Sequence, residues 1–147
     1  MSSLVRAAEI RPHVSYRTIQ VGTILFDEVP TGDEVVQIPG SGLTLTSSDN
    51  EFYPLVRLEA WDGPPVLVES PWEYERIFDG SLLSLLAVVD LNGVTYGEIT
   101  VPEGRSRIRV LCRGRNHVEA STALNPFPPE SPHEDPLEFW VVQVWPA

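Results

Sequence analysis

Residues 105–115 read RSRIRVLCRGR, and the alternation along them decides the fold. Positions 105, 107, 109, 111, 113 and 115 share one side of an extended chain. Five of these six are Arg (Arg105, Arg107, Arg109, Arg113 and Arg115), with Leu111 the exception. Ser106, Ile108, Val110 and Cys112 fall on the opposite side. A period of two with one apolar side is the pattern of a half-buried β-strand.

The reading extends in both directions from there. Pro102-Glu103-Gly104 forms a tight turn ahead of the Arg-rich strand, and a strand over 94–101 precedes that turn. Asn92-Gly93, two residues that tolerate positive φ, joins it in a hairpin to an apolar strand over 82–91. Residues 70–79 carry two competing signals. Ser70, Pro71 and Glu73 are spaced as a helix capping box. Against this, Trp72, Glu73, Tyr74 and Glu75 alternate, and Asp79-Gly80 reads as a hairpin turn. Strand is the favoured reading. Over 52–61, Val56, Leu58 and Ala60 face one way and Arg57, Glu59 and Trp61 the other, until Asp62-Gly63-Pro64-Pro65 ends the strand. Earlier strands fall at 16–27, with a bulge at Gly22, and at 34–38 and 43–46, followed by a polar turn at 47–50. The final strand covers 137–145. The connection over 116–136 is long and carries Pro126, Pro128, Pro129, Pro132 and Pro136, which marks it as a recognition loop or a mobile excursion.

Eight or nine short strands in 147 residues predict one all-β domain spanning 1–147. The expected form is an antiparallel two-sheet β-sandwich, jelly-roll or Greek-key-like, with at most one short helix. A closed barrel is the other solution.

Composition narrows the function classes. All 10 basic residues are Arg, against 21 Asp and Glu, for a formal charge of −11. Such a field repels phosphate backbones and anionic membrane surfaces, so neither nucleic acid nor membrane is an expected partner. It attracts a basic protein and speeds the encounter. Hydrophobic residues make up 42% of the chain, enough for a packed core. The single Cys112 excludes an internal disulfide, and the first residues lack the apolar run of a secretory signal. The expected location is the cytoplasm.

Two constellations stand out. The Arg stripe needs anions, because like charges side by side repel. The favoured reading pairs it across strands with carboxylates such as Glu59, Glu98 or Glu138. The alternative is a small-ligand module in which Arg105, Arg107, Arg109 and Arg113 hold an anion. The second constellation lies in residues 51–100, where nine acids face two Arg, a net of −7. There Asp62, Glu69, Glu73, Glu75 and Asp79 interleave with Trp61, Trp72, Tyr74 and Phe78. Acids among aromatic anchors suit a surface that grips a basic protein. The plainer reading puts Trp61 and Trp72 in the core and the acids in solvent. His13, His117 and His133 do not form a ligand pair, Gly40-Ser41-Gly42 is a turn rather than a nucleophile elbow, and Cys112 lies on the apolar side of its strand. No metal, cofactor or catalytic set is expected.

Residues 99–114 (ITVPEGRSRIRVLCRG) and 139–147 (FWVVQVWPA) combine a Pro-Gly turn, an Arg-rich strand and an aromatic terminal strand. In this they are similar to small acidic bacterial β-proteins. More distantly they resemble the competence protein J family, whose members inhibit a co-encoded nuclease. The resemblance implies a cytoplasmic binding partner or inhibitor rather than a catalyst, and carries over no functional residue. The expected function is a protein-binding module, an inhibitor or immunity-type partner of a basic protein such as a nuclease. Asp62, Glu69, Glu73, Glu75 and Asp79 supply the field and Trp61, Trp72 and Tyr74 the anchors.

Overall fold

The computed structural model describes residues 2–14, 17–26, 36–37, 42–47, 53–66, 72–90, 93–114 and 138–147, with 23–26 and 36–37 as backbone alone. Expectations placed on Glu69, the Ser70-Pro71 cap, His117, His133 and the 116–136 connection lie outside these residues. Nine strands follow in order: β1 (Leu4–Ile10), β2 (Thr18–Phe26), β3 (Val36–Gln37), β4 (Leu43–Thr46), β5 (Leu55–Trp61), β6 (Tyr74–Val89), β7 (Thr95–Thr100), β8 (Gly104–Arg113) and β9 (Phe139–Pro146). Among the described residues there is no helix, and the ambiguous 70–79 stretch is strand from Tyr74 onward.

Sequence patterning pointed to two antiparallel sheets. The strands instead form one open sheet, ordered β1-β5-β9-β8-β6-β2-β4-β3, with β7 paired to β6 beside this path. The sheet is mixed, because β5 and β9 run parallel, from Leu55 opposite Phe139 to Ala60 opposite Val144. A parallel pair needs a long connection, and β6, β7 and β8 all lie between β5 and β9 in sequence. The pairing is therefore non-local, and no turn residue announces it.

β6 is where the sheet changes direction. Its first part pairs with β8, from Tyr74 opposite Cys112 to Leu82 opposite Gly104. Its last part pairs with β7, from Leu85 opposite Thr100 to Val89 opposite Thr95. β2 pairs with it from Gln20 opposite Val89 to Phe26 opposite Gly80. Asp79-Gly80 is thus not the expected hairpin turn. Gly80 lies in mid-strand, opposite Phe26 of β2 and Ser106 of β8. Ladder bonds on both edges override the local turn preference of the Asp-Gly pair. The break falls at Ser84, which has a φ of 96°. The two expected turns that flank β7 are present. Gly93 has a φ of 82° and its N–H donates to the Asp90 carbonyl at 3.1 Å, while Gly104 has a φ of 128° and opens β8.

Alternation places the apolar residues as the sequence implies. Val56, Leu58 and Ala60 of β5, Ile108, Val110 and Cys112 of β8, and Trp140, Val142 and Val144 of β9 form one core cluster. Ile19 and Val21 of β2, Leu43 and Leu45 of β4, Leu86 and Val88 of β6, and Ile99 of β7 belong to it as well. Trp140 and Cys112 have no exposed surface. The Trp140 indole N–H donates to the fully buried Glu138 carboxylate at 2.5 Å.

β1 is the element that sequence patterning does not reveal. It is an edge strand on which Ile10 alone is buried, so it shows no two-sided contrast. It packs near β7 at Gly97, where an added Cβ would lie 2.7 Å from Ile10 Cγ1 and 2.8 Å from Cδ1. Gly97→Ala is expected to cost about 1–3 kcal/mol by overpacking. Urea unfolding of Gly97→Ala, Ile10→Val and the double variant reads this. The double variant should recover part of the loss, and strict additivity would show that the two residues do not meet.

Candidate functional site

Register across the strands orders the side chains that alternate with the core cluster into rows, and of these Glu59, Arg109, Leu111, Val141, Gln143 and Trp145 are themselves buried. Asp79 (β6), Arg107 (β8) and Trp145 (β9) form one row. Ile77, Arg109, Gln143, Glu59 (β5) and Ala7 (β1) form the next. Glu75, Leu111, Val141, Arg57 and Glu9 form the third. The Arg stripe and the acids of β6 therefore belong to one surface on adjacent strands.

The stripe is largely used internally. Arg107 Nε lies 3.4 Å from Asp79 Oδ1, with both side chains about half exposed. An exposed pair of this kind contributes about 0–1 kcal/mol and exchanges partners readily. For Arg107 the cross-strand carboxylate is Asp79. Arg109 is buried, with its guanidinium 5.2 Å from the Trp145 ring centroid and Nη1 donating to Gln143 Oε1 at 3.3 Å. Its Nε has no hydrogen-bond partner among the described residues and is shut off from solvent, so an incoming anion cannot reach it. Arg113 lies 4.8 Å from the Phe139 ring and 5.5 Å from the Trp72 ring. These contacts hold Trp72, half-buried, at the entry to β6. Arg105 is exposed at the start of β8.

A polar chain continues from Arg109 across the sheet. Gln143 accepts from Arg109 and donates through Nε2 to Glu59 Oε1 at 2.8 Å. Trp61 Nε1 donates to the same oxygen at 2.9 Å. Arg57 Nε donates to Glu59 Oε2 at 2.5 Å, and its Nη1 donates to Glu9 Oε1 at 3.0 Å. Burial by itself would raise the Glu59 carboxyl. Hydrogen bonds from Arg57, Gln143 and Trp61, with the Arg57 charge, outweigh burial and hold it below the ordinary carboxylate range. A depressed folded pKa stabilises the protein above the unfolded value, and the benefit is lost as pH falls through the folded one. Glu59→Gln should therefore cost about 1–3 kcal/mol at neutral pH. Its deficit against wild type should shrink as pH drops through and below the carboxylate range. A deficit that does not change with pH, in urea titrations across that range, would contradict this network.

The acidic and aromatic constellation divides in space. Glu75 and Asp79 are exposed along β6, and Glu73 is exposed just before it. Trp61 and Asp62 end β5, three strands away, about 14 Å at ordinary strand spacing. There Asp62 is exposed and ties down the chain start, accepting from Ser3 N at 2.6 Å. Trp61 is half-buried, held by Glu59. Tyr74 packs against the core and Phe78 lies within it. Sequence reasoning missed Ile77, 46% exposed between Glu75 and Asp79. Its parity with those acids in an alternating strand was the available signal. Among the described residues no three His, Cys, Asp or Glu side chains gather as a metal site.

No protein-family model and no curated protein matches the chain. Solved structures do. One is ComJ, inhibitor of the DNA degrading activity of NucA, from Bacillus subtilis, with a TM-score of 0.60 over 100% of this chain and 99% of that one at 9% identity. Another is the product described as crocagin biosynthetic gene J, with a TM-score of 0.53 over 97% of this chain and 99% of that one at 14% identity. The likeness is one of fold, and it extends from end to end of both chains.

Proposed function

We propose that this chain is a non-enzymatic protein-binding module, an inhibitor or immunity-type partner of a basic protein such as a nuclease. The observation that carries the reading is the end-to-end likeness of fold to ComJ, an inhibitor of the DNA degrading activity of NucA. The charge of −11 agrees with it. A protein that binds DNA lines its groove with cations, and an acidic surface competes for them. Glu75 and Asp79 of β6 and Glu73 just before it present exposed carboxylates, with Ile77 exposed between Glu75 and Asp79 as an apolar contact. Inhibition then consists of occupying the groove, which needs no reactive group on this chain.

The test is capture on the immobilised full chain from native lysate at low salt, followed by stepped salt elution. The reading predicts a basic protein that is retained and then released as salt screens the contact. Retention indifferent to salt, or recovery of acidic proteins only, overturns it.

A further inference from the structure

The ladder between β2 and β6 is uneven. From Gly22 opposite Ala87 to Ile24 opposite Leu82, β2 advances two residues while β6 covers five. Three extra residues of β6 must bulge out of the sheet there. Leu82 and Leu86 are buried on either side, whereas Leu83 is 46% and Leu85 37% exposed. Between them Ser84 has a φ of 96°, a conformation that disfavours any side chain, and its carbonyl accepts from Val101 N at 2.9 Å. This is also the point where the edge of β6 passes from β8 to β7. A strained corner that displays two leucines outward contributes little to its own core, and conformational cost concentrates where a protein acts.

We propose that Leu83 and Leu85 form an apolar anchor for the same basic partner, seated in a pocket of that protein. The proposal rests on the partner reading above and adds to it what holds the complex together. Glu98 of β7, opposite Ala87, and Glu103, beside Gly104 opposite Leu82, are exposed next to the bulge, as is Arg105 opposite Ser81. Two carboxylates and one guanidinium thus border the leucines, and the complementary surface is a hydrophobic pocket whose rim carries a net positive charge. Screened rim charges set the rate of encounter, whereas desolvated apolar contacts set the residence time.

The test uses the salt-eluted basic protein, identified by mass spectrometry and purified. Its affinity is measured for the wild-type chain, Leu83→Ser with Leu85→Ser, Leu83→Met with Leu85→Met, and Glu73→Gln with Glu75→Gln and Asp79→Asn. The Ser pair should weaken binding by about 10-fold or more at every salt concentration, with an unchanged salt slope and thermal midpoint. The Met pair should bind as wild type, and the acid variant should flatten the salt slope. If the Ser pair loses stability, Leu83→Thr alone reads the same quantity. Wild-type affinity in the Ser pair beside a flattened slope in the acid variant refutes the anchor and leaves the partner reading intact. If neither variant changes binding, the contact lies away from β6 and the anchor is refuted; if no basic protein is recovered, the partner reading fails and the anchor with it. Sedimentation of the chain alone provides a last arm. A wild-type dimer that dissociates in the Ser pair would make this a self-association surface and overturn the proposal.

Discussion

Trp140→Ala should lower the free energy of unfolding by about 3–5 kcal/mol, a large part of the stability of a domain this size. Trp140 has no exposed surface and sits between Val56 of β5 and Cys112 of β8. Removing the indole opens a cavity in the middle of the strands that form the parallel pair and its antiparallel neighbour. It also takes a donor from Glu138, which is itself fully buried. The lost hydrogen bond to a buried carboxylate adds to the cavity cost. Trp140→Phe separates the two contributions, since it keeps most of the packing and loses only the N–H. The Phe variant should lose about 1–3 kcal/mol. Urea unfolding followed by far-ultraviolet dichroism measures both. A change below about 1 kcal/mol for the Ala variant would mean that Trp140 is not packed at the centre of the core.

The second large effect concerns association. Glu73→Gln, Glu75→Gln and Asp79→Asn together remove three exposed carboxylates from β6 and the residue just before it without touching the core. Steering by complementary fields changes association rates by about 10- to 1,000-fold, and the effect falls steeply with ionic strength. The triple variant should therefore bind the proposed basic partner at least about 10-fold more slowly at low salt, with dissociation little changed. Asp79→Asn also releases Arg107 from its exposed pair. That places an unpaired cation in the interface and adds repulsion in the same direction. Stopped-flow mixing reads both rates. Equal association rates for the variant and wild type would move the contact away from β6.

Particular residues show how far the sequence could be read. Ser106, Ile108, Val110 and Cys112 on one side of β8 and the Arg stripe on the other were legible, because alternation is a local property and the strand is central. The turns at Gly93 and Gly104 were legible for the same reason. β1 was not, since an edge strand exposed on both sides carries no contrast to read. Nor was the parallel β5–β9 pair, which depends on which strands become neighbours after three others have intervened. Asp79-Gly80 shows the opposite failure, a strong local signal overruled by pairing on both edges of β6. At the site, the charged side chains were visible but their partners were not. Asp79 meets Arg107 because the register of β6 and β8 sets them opposite each other. Trp61 is parted from the β6 acids because β9 and β8 come between. Gln143, which connects Arg109 to Glu59, drew no notice because a single amide in an aromatic strand has no sequence signature.

Cleavage of DNA by the captured basic nuclease, measured against rising amounts of the full chain at several DNA concentrations, bears most directly on the proposed role. Occupation of the DNA groove predicts that cleavage stops near one chain per nuclease and that excess DNA restores it. Cleavage that continues at full rate with the chain bound would contradict occlusion.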